Sequence, residues 1–158
     1  MSVGKRYESE LAKAFRAKHP EAFVERQPDK MIGKGKVSLP SPPDLLVNSR
    51  VGNYLIECKV VKGISVPLNR LSIHQHDYLM RYDLISQDHA GFVGLLYYNG
   101  QRGKGRVYDS WLVPILYWSN YIHRYPRKSL ARKHVEGDLK KYRCTWVPGV
   151  GWELPAWA

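Results

Sequence analysis

Cysteine is scarce in this chain. There are two in 158 residues, Cys58 and Cys144, and neither belongs to a Cys-x-x-Cys pair. A disulfide framework and a zinc ribbon are therefore not expected, and Cys58, set among apolar residues in a strand pattern, reads as a small core residue. Long apolar runs are missing as well. Nothing approaches the roughly 18 consecutive apolar residues of a membrane-crossing helix, so no membrane role is expected. The opening residues Met1-Ser2-Val3-Gly4-Lys5-Arg6 run into a polar helix pattern with no signal-peptide core, which fits the cytoplasm. Acidic residues are in deficit: 14 Asp and Glu stand against 25 Lys and Arg, a net charge of +11. An imbalance of that size points to a polyanionic partner such as nucleic acid. No basic amphipathic helix stands apart to suggest a membrane surface instead. Internal repeats and low-complexity tails are also lacking.

What remains is one ordinary domain over residues 1–158, with 44% hydrophobic residues. Val3, Tyr7, Leu11, Ala14 and Phe15 recur at spacings of three and four, predicting a helix over 2–18 closed by Pro20. Residues 26–43 carry no period and several prolines and lysines, and read as a basic loop or arm. Residues 44–48 and 54–61 form a hairpin about a turn at 49–53. A helix over 70–87 follows, with Ile73, Tyr78, Leu79, Tyr82 and Ile85 as its apolar set. Strands are expected at 91–98 and 106–113, separated by a turn that Asn99-Gly100 opens. Pro114 starts another helix, Ser129 caps a short one over 130–141, and 144–158 is irregular but packed. The order helix, hairpin, helix, hairpin, helices predicts an α/β (α+β) domain with a small mixed β-sheet flanked by helices.

The chemistry lies at Pro43-Asp44 and Glu57-Cys58-Lys59. Strand side chains alternate faces, so Glu57 and Lys59 share one. Folding the hairpin about the midpoint of residues 50 and 51 sets Asp44 opposite Glu57. Two carboxylates side by side repel, and a hard divalent cation removes the repulsion. Lys59 beside them can orient an attacking water or stabilise charge on a phosphate. These are parts for phosphodiester hydrolysis with Mg²⁺ or Mn²⁺. The bland alternative, an exposed strand face with a cross-strand salt bridge, sits poorly with Leu55 and Val61 on the same face.

Pro43-Asp44, a hairpin and Glu57-x-Lys59 resemble the core of PD-(D/E)xK nucleases, whose fold is restriction-endonuclease-like. Ser41-Pro42-Pro43-Asp44 with Tyr54-Leu55-Ile56-Glu57-Cys58-Lys59 resembles the active-site hairpin of the RecU family of bacterial Holliday-junction resolvases. Pro67-Leu68 with His74-Gln75, the basic Arg127-Lys128-Ser129-Leu130 and the opening Gly4-x-x-x-Glu8-x-Glu10-Leu11 resemble further parts of it. The resemblance implies a structure-specific endonuclease that resolves four-way DNA junctions by paired nicks, acting as a homodimer. A compact, phage-type enzyme at work in a bacterial cell or phage-infected host fits the shorter segment before Asp44. It implies Mg²⁺ or Mn²⁺ and no small-molecule cofactor. Asp44, Glu57, Glu8 and the Cys58 backbone carbonyl would hold the metal, Lys59 would assist catalysis, and Gln75 would lie near the site. Both Glu8 and Glu10 flank the apolar stripe of the first helix. The helical wheel leaves the two open, and the resemblance favours Glu8.

Other residues carry weaker signals. His74 and His76, at i and i+2 of a helix, point apart and do not suit zinc; His74 is a candidate DNA contact. Lys5, Lys30, Lys34, Lys36, Arg102, Lys104, Arg127, Lys128 and Arg132 are candidate phosphate contacts, which position a backbone without reading sequence. Tyr97, Tyr98, Tyr117, Trp118 and Tyr121 fall at strand and helix spacing and read as core or dimer interface.

Overall fold

The computed structural model describes residues 2–27, 42–98 and 108–158. The chain opens with helix α1 (Val3–Lys18), whose N-cap Ser2 accepts a hydrogen bond from the backbone N–H of Lys5. Strand β1 (Phe23–Arg26) follows, then the hairpin β2 (Leu45–Asn48) and β3 (Asn53–Lys62), and the short strand β4 (Ser65–Pro67). Next come helix α2 (Ile73–Asp83), strands β5 (His89–Tyr98) and β6 (Tyr108–Pro114), and helix α3 (Ile115–Arg124). Strand β7 (Ser129–Ala131), helix α4 (Arg132–Asp138), and strands β8 (Arg143–Val147) and β9 (Gly151–Glu153) complete it.

Among the described residues seven strands form one sheet, in the order β1-β2-β3-β5-β6-β8-β9, and β4 pairs with β7 in a second. The β3–β5 pair is parallel and the others are antiparallel. A parallel pair needs a crossover, and α2 supplies it. Hairpin, crossover helix and parallel strand make the core of a mixed α/β domain, a mixed sheet flanked by helices.

Alternation along β3 and β5 divides the interior into two layers. Tyr54, Ile56, Phe92 and Leu96 face α1, where they meet Tyr7, Leu11 and Phe15. Leu55, Val61, Val93, Leu95 and Tyr97 face the other helices, where they meet Leu79, Ile115, Trp118, Tyr121 and Val135. Tyr97, Trp118 and Tyr121 are buried, as core residues should be.

Several elements differ from the sequence reading. Phe23–Arg26, not expected as a strand, is an edge strand paired to β2, and most of the expected basic arm over 26–43 lies outside the described residues. Helix α2 is shorter than 70–87, and of its expected apolar set only Leu79 is fully buried; Ile73, Tyr78 and Ile85 are exposed. Ser129 caps no helix. It lies in β7, held extended by pairing with β4, which buries Leu130. Pro114 ends β6 and, as expected, starts the next helix, as the N-cap of α3. Residues 143–153 form a hairpin rather than irregular chain.

Gly91 sets how closely α2 lies on the sheet. A Cβ there would stand 2.4 Å from the Leu79 carbonyl oxygen, which is backbone and cannot rotate away. Gly91→Ala is therefore expected to push α2 outward and cost about 1–3 kcal/mol of stability, as overpacking does. A chemical denaturation curve matching the parent protein would contradict this contact.

Candidate active site

The hairpin register brings the acids together. Leu45 pairs with Ile56, Leu46 with Leu55 and Asn48 with Asn53. One step beyond Leu45 the same register sets Asp44 against Glu57. Asp44 is locked there: its carbonyl accepts from the N–H of Gln27, and its carboxylate Oδ2 accepts from the N–H of Cys58 at 2.7 Å.

Glu57 and Lys59 project toward α2 from the middle of β3, and both side chains are largely withdrawn from solvent, at 6% and 14% exposure. Their tips lie 3.1 Å apart. Helix α2 contributes Gln75. Its amide Nε2 donates to Glu57 Oε1 at 2.7 Å, and its Oε1 accepts from Lys59 Nζ at 3.2 Å. Local sequence aims that amide. Ser72 is the N-cap of α2 and Gln75 its third residue, so the Ser72 hydroxyl accepts from Gln75 N–H while Gln75 Oε1 accepts from Ser72 N–H. A capping box thus doubles as an arm that holds Glu57 and Lys59.

Glu8 and Glu10 part company. Glu10 is taken by Arg6 at 2.9 Å and by the indole N–H of Trp152 at 3.3 Å. Glu8 pairs with Arg26 at 3.1 Å. Its charge also reaches the site, raising the carboxyls of both Asp44 and Glu57. Of the two glutamates, the one beside the acids is Glu8.

The electrostatics are those of a crowded, desolvated acid cluster. Burial, and then the charge of Glu57, pushes the Asp44 carboxyl up to about 7. Burial also raises Glu57, against the opposing pull of Lys59. The Cys58 thiol is pushed well up by burial and by the three acids around it. It is therefore a poor nucleophile.

These residues suit a hard divalent cation in a particular way. Among the described residues no three His, Cys, Asp or Glu side chains converge as a ready-made cage. Asp44 Oδ2 accepts from the Cys58 N–H and Glu57 Oε1 is shared by Gln75 and Lys59, so the two carboxylates are a sparse donor set. Mg²⁺ is commonly held so, by one or two carboxylates with waters completing the octahedron.

The basic candidates are more scattered. His74, Arg127 and Lys128 are exposed, and Lys5 is exposed on the first turn of α1. Arg132 is half-buried and ion-paired with Asp109, which Arg143 also holds at 2.9 Å. Its place is thus structural as well as basic. Lys30, Lys34, Lys36, Arg102 and Lys104 lie outside the described residues. His76 turns to the Ser119 hydroxyl on α3, away from His74. Sequence reasoning did not find Ser72, Arg26 or the Asp109–Arg143 pair. Ser72 had a local signal, the Ser-x-x-Gln spacing. The other two depend on partners remote in sequence.

A cavity of about 540 Å³ opens at the turn end of the hairpin, lined by Tyr54, Phe92, Tyr142 and Trp157 among others, and none of the site acids borders it. Glu57 and Lys59 lie instead on the α2 side of the sheet.

No protein-family model matches the sequence, and no curated protein does. Solved structures include a similar one. It is Hjc from Archaeoglobus fulgidus, a Holliday junction resolvase from an archaeal hyperthermophile. Identity is 18% and the TM-score 0.46, over 72% of this chain and 78% of that one. No described helix is long and apolar enough to cross a membrane.

Proposed function

We propose that this chain is a divalent-metal-dependent DNA endonuclease of the PD-(D/E)xK type, RecU-like, that resolves four-way junctions as a homodimer. The observation that carries the reading is the convergence of Asp44, Glu57 and Lys59, two desolvated carboxylates and an ammonium, with Glu57 and Lys59 gripped by one glutamine. A buried charged cluster costs stability that well-packed apolar residues would not. Chemistry is the reason to keep it.

Asp44, Glu57 and the Cys58 carbonyl would hold the cation, and Glu8 would add negative charge from α1. A divalent cation bound there supplies a Lewis acid beside the scissile phosphate and lowers the pKa of water. Lys59 stabilises the charge that builds on the phosphate oxygens. Gln75 fixes the Lys59 ammonium and the Glu57 carboxylate relative to each other, so neither must reorganise as the reaction proceeds. The excess of basic residues draws in the DNA backbone without regard to sequence. A four-way junction presents two equivalent strands to cut, and a two-fold dimer offers two equivalent sites.

A supercoiled plasmid that extrudes a cruciform tests this reading. With Mg²⁺ the protein is expected to make paired nicks across the cruciform and yield linear plasmid, and with EDTA to yield nothing. Open circles cut without regard to the cruciform would leave a nuclease of restriction or repair type. An intact plasmid under Mg²⁺ and Mn²⁺ would leave a junction-binding protein without catalysis.

A further inference from the structure

Arg26 stands beside the acids although it is remote from them in sequence. It lies on β1 opposite Leu45, and the next residue, Gln27, donates its N–H to the Asp44 carbonyl at 2.9 Å. The segment that locks Asp44 thus also fixes Arg26. Directly opposed residues share a sheet face, and Leu45 packs against α1, so the Arg26 side chain leaves β1 on the α1 side. There its Nη2 donates to Glu8 Oε2 at 3.1 Å. The pair is half-buried, with 36% of the Arg26 side chain and 18% of the Glu8 side chain exposed. Arg26 Nε is buried and has no hydrogen-bond partner among the described residues. A buried donor without a partner is costly, so hydrogen bonding alone does not account for Arg26. What it supplies is charge.

Glu57 and Lys59 approach the site from the α2 side of the sheet, and Glu8 and Arg26 from the α1 side. Asp44, at the end of the hairpin, feels both. After burial, the charges of Glu57 and Glu8 raise its carboxyl, and that of Lys59 opposes them. With all five groups ionised, Asp44, Glu57 and Glu8 against Lys59 and Arg26 leave one net negative charge. One divalent cation converts this to one net positive charge, which matches a single phosphodiester. A second would leave three, and would have to take Glu8 from Arg26. Two-metal sites clamp the attacking and leaving oxygens of a phosphate with positive charge. A guanidinium is a permanent cation and supplies such charge with no ion bound.

We infer that Arg26 stands in for a second metal ion: it occupies Glu8 and so limits the site to one divalent cation, on Asp44, Glu57 and the Cys58 carbonyl. Glu8 then acts by holding Arg26, a positioning role, and not as a ligand of the ion. Removing the guanidinium frees the Glu8 carboxylate. A freed carboxylate whose charge reaches Asp44 is a place for a second hard cation, since such ions are held by one or two carboxylates and water. The inference rests on the metal-dependent reading above, and it does not require the substrate to be a junction.

The test counts ions bound by full-length protein in the absence of DNA. Mn²⁺ alone is titrated in, and electron paramagnetic resonance of the free ion gives the number bound per subunit. Wild-type protein is expected to bind about one. Arg26→Met and Arg26→Gln both remove the charge, and whichever keeps the wild-type thermal melt is expected to bind about two. Adding Glu8→Gln to that variant is expected to return the count to about one. Two ions in wild-type protein, one in the folded Arg26 variant, or a second ion that survives the loss of Glu8 would each overturn the stand-in role and leave the metal-dependent reading in place. No ion bound by wild-type protein, or a single ion that Glu57→Gln does not weaken, would overturn both.

Discussion

Glu57→Gln is expected to slow junction cleavage by on the order of 10²–10³-fold while leaving junction affinity within about twofold. The substitution keeps shape and keeps an oxygen for Gln75, but it removes the charge that holds Lys59 at 3.1 Å and that would hold a cation. Binding survives because phosphate contacts come from the basic surface. On the proposed function cleavage should fail, because the group removed would hold the cation that acts on the phosphate. Gel-shift titration in Ca²⁺, paired with single-turnover cleavage in Mg²⁺, separates the two quantities. A variant that cuts at the parental rate would remove Glu57 from the chemistry. Equal losses of affinity and rate would assign it to DNA binding instead.

Asp44→Asn is expected to flatten the pH dependence of stability and to remove the stabilising effect of Mg²⁺. Burial and the Glu57 charge raise the Asp44 carboxyl to about 7, against about 3.9 in an unfolded chain. The folded protein therefore holds this proton more tightly than the unfolded chain does. The resulting stability is fully present below about pH 4 and is lost as pH rises through about 7. Glu57, also raised, acts in the same direction. Metal-free wild-type protein should thus gain less in melting temperature toward alkaline pH than Asp44→Asn does. Cation binding competes with that proton, so Mg²⁺ should stabilise wild-type protein more at about pH 8 than at about pH 5. In Asp44→Asn the Mg²⁺ effect should be small at both. Parallel curves for the two proteins, with and without Mg²⁺, would contradict the coupled acid pair.

The hairpin was legible because its geometry is local. A turn centred between residues 50 and 51 fixes every pairing from Asn48–Asn53 to Leu45–Ile56, and hence the opposition of Asp44 and Glu57. The crossover helix was legible as an element but not in its burial. Ile73 and Ile85 have the right residue type, yet α2 rests on the sheet through Leu79 at the Gly91 notch, which turns them outward. Phe23–Arg26 escaped notice because four residues at a sheet edge, with an exposed Phe23, bury too little to leave an apolar period. The same long-range logic hid the choice between Glu8 and Glu10. A helical wheel sees one helix, whereas Arg26 and Trp152, which separate the two glutamates, arrive from other elements. Asp109 is a parallel case, since the arginines that hold it lie 23 and 34 residues away.

The central claim is that the acids on β2 and β3 serve a metal-dependent cut in branched DNA. The most direct measurement is single-turnover cleavage of an end-labelled synthetic four-way junction, beside linear duplex of the same arm sequences, in Mg²⁺ and in EDTA. The account predicts paired nicks at symmetric positions in the junction under Mg²⁺, none in EDTA, and little cutting of the duplex. Equal cutting of both substrates, or cutting that persists in EDTA, would contradict it.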